Sequence, residues 1–214
     1  MPRYNQAVRG ATNGWGMPRI EPKRLADAPE LAEFARSNAE IGRDVPNFVL
    51  TLAHRPDVAL AWVNFRATLV GNGLVSEELK TLIAQVTSMS AGCNYCAAHN
   101  AYFGTDIGID SARQAALWDY ETSDLFNAGE RAAFRIAQGA AQTPNATTDR
   151  DFEILRQHYS DAEIVEIVAV VAMFGFLNRF NDTMATELES LPIAAGREHL
   201  SQQGWVIGKH GSAG

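Results

Sequence analysis

The segment Gly92-Cys93-Asn94-Tyr95-Cys96-Ala97-Ala98-His99 sets two thiols and an imidazole at steps of three. On a helix, that spacing keeps the side chains of Cys93, Cys96 and His99 within roughly a 120° arc of one face. The thiols can then meet each other and the ring. Cys93 falls where a helix should begin after Ala91-Gly92, and unpaired N–H groups and the helix dipole there favour a thiolate. A thiolate attacks a peroxide or a disulfide. A second thiol can close a disulfide on the resulting sulfenic acid, and a histidine one turn on can move the proton. These are the only two cysteines in 214 residues, which speaks against the disulfide framework of a secreted protein and for redox or metal chemistry. Two other readings use the same residues. The thiols can be inert core groups, or they can hold zinc with His99. Zinc needs a fourth ligand, usually from a second C-x-x-C knuckle; none exists here, and only His54, Asp106 and His158 offer themselves.

The elements that must position this segment read as helices throughout. Leu31, Phe34 and Ala35 follow helical spacing within an expected helix from Ala28 to Arg43. His54 to Val70 is expected as a second helix, with Pro56 in its first turn. Gly71-Asn72-Gly73 reads as a turn. Ser76 then reads as an N-cap, with Glu77 and Glu78 suited to the dipole, for a helix to about Ser90. After the break at Ala91-Gly92, a helix should carry the thiols to about Tyr102. Further helices are expected over Ser111–Tyr120, Asn127–Ala141, Asp149–Tyr159 and Asp161–Leu191, the last ended by Pro192. Period-2 alternation is absent, so the fold class is all-α. The Gly- and Pro-containing residues 1–27 read as an extended N-terminal arm, 28–192 as one helical domain, and 193–214 as a polar C-terminal tail.

Composition narrows the function classes. Hydrophobic residues make up 46% of the chain, enough for a core without covalent staples, and the net charge is −7. An acidic chain without basic clusters does not suit a nucleic-acid partner. No apolar run reaches the ~18–20 residues of a membrane span; the longest, Ile164 to Leu177, is interrupted by Glu166. Met1 to Ile20 has no apolar signal core, so a cytoplasmic location is expected.

The stretch Leu79-Lys80-Thr81-Leu82-Ile83-Ala84 followed by Ala91-Gly92-Cys93-Asn94-Tyr95-Cys96-Ala97-Ala98-His99 resembles the active-site helix pair of alkylhydroperoxidase D-like proteins, in the carboxymuconolactone decarboxylase superfamily. The run Phe176-Leu177-Asn178-Arg179-Phe180-Asn181-Asp182-Thr183 is similar to a segment of its C-X-X-C-bearing branch. The likeness covers most of residues 30–192. It implies a compact helical fold, homo-oligomeric assembly, and thiol-dependent reduction of hydroperoxides, with the disulfide re-reduced by a partner thiol system and no cofactor. It also implies that Cys96 is the attacking thiol and Cys93 the resolving one, the reverse of the order that the dipole favours. Two positions depart from the family pattern. A glutamate commonly stands twelve residues before the first cysteine as part of a proton relay, and here that residue is Thr81. The histidine often stands four residues after the second cysteine, where this chain has Asn100. The superfamily also includes lactone decarboxylases without a cysteine pair, and a non-catalytic redox sensor or interaction protein of the same fold is a third class.

A carboxylate to replace the one missing at Thr81 can come from two places. Glu78 lies one turn away on the same face, whereas Gln85 can hydrogen-bond but not titrate. Sliding the sequence by 85 residues matches Glu78 with Glu163, Thr81 with Glu166, and Cys93 and Cys96 with Asn178 and Asn181. The slide nominates Glu166, the acid that interrupts an apolar helix; the competing reading is an early-helix acid facing solvent. Arg179 and Asp182 are spaced for an ion pair. Trp62, Phe65, Phe174 and Phe176 are expected in the core, or lining an apolar pocket above the thiols. His54, His158, His199 and His210 have no partner motif.

Overall fold

The computed structural model describes residues 17–71 and 73–211, and all regular structure among them is helical. Ten α-helices follow in order: α1 (Ala32–Glu40), α2 (Asn47–Leu52), α3 (Pro56–Gly71), α4 (Glu77–Ala91), α5 (Asn94–Asp106), α6 (Ser111–Ala116), α7 (Ala128–Ala140), α8 (Asp149–Leu155), α9 (Asp161–Met184) and α10 (Ser190–His199). The expected arm lies outside the described residues as far as 16. None of the described helices is long and apolar enough to cross a membrane.

Local chemistry explains most of the helix starts. The Ser76 hydroxyl accepts from the Leu79 N–H. Asn127, Thr148 and Ser160 each form a reciprocal capping box with the acid three residues on, which satisfies two otherwise orphaned donors at each end. Two apolar cores result. One joins α4, α7 and α9 through Leu82, Ile83, Val86, Phe134, Ile136 and Ile167. The other gathers α2, α3, α5 and α10 through Phe48, Val49, Trp62, Tyr95, Leu200 and Trp205. On α5, Ala97, Ala98 and Ala101 are fully buried, and their small side chains let α4 and α9 pack on one side and α10 on the other.

Three expectations need correction. The stretch between the helices expected over Ala28–Arg43 and His54–Val70 is itself helical, since α2 starts directly after Pro46. The long helix ends at Met184, not Leu191, because Ala185 adopts left-handed backbone at φ 51° and reverses the chain. Pro192 therefore lies in the first turn of α10, where its missing N–H costs nothing. Finally, residues 193–211 are not a loose polar tail. Trp205 is buried on Gly196, with its indole N–H donating to the Asn94 carbonyl, and His210 is buried beneath Tyr95.

Candidate active site

Gly92 sets up the thiol pair. It caps α4 in the left-handed region at φ 74°, its N–H reaching the Met89 and Ser88 carbonyls, a conformation open to glycine without steric cost. The Cys93 N–H then bonds the Ser88 carbonyl at 3.0 Å. Cys93 turns extended as the N-cap of α5, and its sulfur accepts from the Cys96 N–H at 3.4 Å. Both thiols are free and buried. They are not equivalent: Cys96 lines a cavity of about 90 Å³ together with His99, and Cys93 does not. Cys93 is completely sealed.

Burial pushes the Cys96 thiol well above its ordinary pKa, and the neighbouring Cys93 sulfur, accepting its hydrogen bond, pushes it further. Asn181 acts the other way, its amide N–H donating to the Cys96 sulfur at 3.5 Å. Cys96 thus holds its proton until something in the cavity takes it.

The group that orients His99 is Glu189. Its carboxylate sits 2.7 Å from His99 Nε2 and also accepts from the Asn47 N–H at 2.5 Å and the Tyr95 hydroxyl at 3.1 Å. Burial pushes the Glu189 carboxyl up, but His99 and the Asn47 N–H outweigh it and leave the group below the ordinary carboxylate value. An ionised Glu189 holds the Nε2 proton, which leaves Nδ1 as the acceptor in the neutral form of the ring. That atom is buried and has no partner among the described residues. Tyr95 stacks obliquely on His99 at 4.5 Å between ring centres and completes the wall. Burial and the Glu189 charge raise the Tyr95 phenol well above its usual value, keeping it a donor.

Cys93, Cys96 and His99 are therefore brought together on one helix. The two nominated carboxylates are placed elsewhere, and each is held by a cation. Glu166 pairs with Lys80 at 2.5 Å and accepts from the Leu74 and Val75 N–H groups at 2.8 and 3.1 Å. Glu78 pairs with Arg113 at 3.0 Å on a half-exposed surface. The 85-residue slide nonetheless matched one real contact, Cys96 with Asn181. Arg179 and Asp182 are not paired: Arg179 is exposed and bonds the Gly175 carbonyl, while Asp182 binds Lys209 at 2.7 Å. Phe65 and Phe176 are exposed, whereas Trp62 and Phe174 line the cavity. Among the nominated zinc ligands, Asp106 is bound to Arg43 and His54 to the Glu21 carbonyl. No group of three or more His, Cys, Asp and Glu side chains among the described residues converges as a metal site.

The profile of the carboxymuconolactone decarboxylase family matches residues 56–139, which contain α3, α4, α5 and the thiol motif. The crystal structure of the debrominase Bmp8 superposes with a TM-score of 0.78 at 31% identity, covering 88% of this chain and 99% of that one. The chain belongs to the alkylhydroperoxidase D-like/carboxymuconolactone decarboxylase superfamily. A cysteine-to-alanine form of the debrominase, in complex with 2,3,4-tribromopyrrole, superposes at 0.79 with 30% identity over the same shares of both chains. An alkylhydroperoxidase AhpD core from Ralstonia eutropha JMP134, an uncharacterized peroxidase-related protein, gives 0.73 at 24% identity over 84% of this chain and 96% of that one, a likeness of fold. Curated protein sequences return no match. In this chain the paired thiols and the histidine lie on α5 and its N-cap, and a carboxylate reaches the histidine from the N-cap of α10.

Proposed function

We propose that the protein is a dithiol oxidoreductase that reduces a small organic hydroperoxide in the cavity above Cys96. The observation that carries this reading is the unequal placement of the thiols, one lining the cavity beside the histidine and one sealed behind it. His99 Nδ1 takes the Cys96 proton as the sulfur attacks the distal peroxide oxygen. The O–O bond breaks, the alkoxide leaves as alcohol with that proton, and Cys96 becomes a sulfenic acid. Cys93 then displaces water from it and the disulfide forms. An external dithiol, oxidised in turn, restores the pair.

A second reading is favoured by the debrominase likeness at 31% identity over nearly the whole of that chain. The same two thiols can deliver two electrons to an organic halide, so that R–X and two thiols give R–H, a disulfide and HX. Both readings make the disulfide between Cys93 and Cys96 the product on the protein.

The deciding measurement is turnover of hydrogen peroxide, cumene hydroperoxide and a bromopyrrole with excess dithiothreitol, alongside mass spectrometry of the protein. Loss of turnover in Cys96→Ser, together with accumulation of a singly oxidised Cys96 in Cys93→Ser, is expected. Retained peroxide consumption by Cys96→Ser overturns the dithiol reading. Bromide release without peroxide consumption selects the second reading over the first.

A further inference from the structure

The lining of the cavity that holds Cys96 also carries a guanidinium with no ion pair or hydrogen bond among the described residues. On α3, Trp62, Arg66 and Val70 recur every fourth residue and face the cavity as one stripe. The other two cations in the lining are already paired: Lys80 is held by Glu166, and Arg43 by Asp106 with its guanidinium 5.2 Å from the Phe103 ring centre. Arg66 is half-buried, and among the described residues it has neither an ion pair nor a hydrogen bond. Residues 1–16, 72 and 212–214 contain no aspartate or glutamate. Two acids, Asp44 and Glu77, also line the cavity, but both are exposed, where water weakens their pull on Arg66 without removing it. Burial, with the neighbouring charge of Arg43, destabilises the Arg66 cation more than Glu77 relieves it.

A desolvated guanidinium without a counter-ion beside an aromatic cavity is a poor arrangement for the empty protein and a good one for an anionic ligand. Its planar fork matches a carboxylate with two parallel hydrogen bonds. One free cation balances one charge, and the rim acids disfavour a dianion such as a phosphate monoester. Phe48, Trp62, Phe103 and Phe174 offer ring faces and edges to a flat apolar body lying between Arg66 and the thiol.

We infer that the substrate is a small aromatic or unsaturated monocarboxylate, held by Arg66 at its carboxylate and presented to Cys96 at its other end. This rests on the assignment of the cavity as the substrate site, but not on which oxidant is reduced there.

Calorimetric binding to the full, reduced chain tests it without turnover, using benzoate, 4-bromobenzoate and 2-naphthoate against the corresponding neutral amides. At least one carboxylate should bind about ten-fold or more tightly than its amide, as a charge-assisted pair allows. Arg66→Gln should remove that preference while leaving amide affinity unchanged and the melting midpoint no lower. Arg66→Lys should keep part of it, and Glu77→Gln should strengthen carboxylate binding. No carboxylate preference in the wild type, or a preference that survives Arg66→Gln, overturns the inference. The same titrations in Cys96→Ser should give the same preference, so failure of the dithiol reading leaves this result standing and is seen separately from it.

Discussion

Neutral His99 carries one ring proton, and Glu189 decides which nitrogen holds it. With the carboxylate fixed on Nε2, the free Nδ1 is the one acceptor in the ring able to receive a proton from a thiol. Glu189→Gln keeps an oxygen for the Asn47 N–H but loses the charge that favours the imidazolium formed as Cys96 ionises. Turnover should fall by about 10²-fold, the lower end of what a positioned acid–base group contributes. Alkylation of Cys96 by iodoacetamide in a Cys93→Ser background should need a higher pH to reach half its maximal rate. An unchanged rate–pH profile would remove Glu189 from the proton path. The thiol motif was legible in the sequence because all three members lie on one helix within seven residues. Glu189 was not, since it meets His99 across 90 positions and Pro192 reads as a helix stop as readily as a first-turn residue. The one available signal was that proline, three residues after a glutamate at a helix N-cap.

At the scale of elements, α4 and α9 are held together by a polar clamp as well as by their apolar faces. Lys80, only 3% exposed along its side chain, reaches both the Leu69 carbonyl at 2.8 Å and the Glu166 carboxylate. Gly73 lies against this pair so closely that a Cβ there would come within 1.9 Å of Glu166 Oε1 and 2.0 Å of Lys80 Nζ. A side chain at position 73 would therefore push into the clamp. Burial raises the Glu166 carboxyl, yet Lys80 and the two backbone N–H groups hold it below its ordinary value. Replacing Lys80 with Met leaves a carboxylate that is 11% exposed without its cation. Urea unfolding should then show a loss of about 3 kcal/mol, the usual cost of stranding one member of a buried pair. A loss under ~1 kcal/mol would mean that the clamp behaves as a surface pair. The sequence displayed both residues, and the slide by 85 positions even aligned Glu166 beside Lys80, at Thr81. What it lacked was the local geometry. The first copy breaks at Gly92 into two helices, whereas α9 runs unbroken to Met184, so matched positions do not occupy matched environments.

At the scale of the whole molecule, residues 188–210 close over the candidate site from the side of Tyr95. Leu188 donates to the His210 carbonyl at 2.8 Å, His210 Nδ1 bonds the Thr186 carbonyl at 2.8 Å, and the His210 ring lies 5.7 Å from that of Tyr95. Composition made this segment look like a solvated tail, because Gly and polar residues outnumber the side chains that pack inward, among them Leu200, Trp205 and His210. Burial lowers the His210 pKa below 6.5, and Lys209 adds to this, against the Thr186 carbonyl and Asp182. The unfolded chain therefore binds a proton here that the folded chain refuses. The stability that neutral His210 contributes is complete above pH ~6.5, the ordinary histidine value, and is lost as the pH falls below it towards the lower folded value. Melting midpoints measured from pH 7.5 to 5 should fall in the wild type and fall less in His210→Gln, whose amide can still donate to Thr186. The depressed carboxyls of Glu189 and Glu166 add their losses only below the ordinary carboxylate range near pH ~4, so the two windows separate. Release of the segment on the acid side should expose Tyr95 and His99 together. Cys96 alkylation in Cys93→Ser at pH 5.5, normalised to its thiolate fraction, should then rise before global unfolding, and parallel loss of the two signals would show that the segment does not open independently.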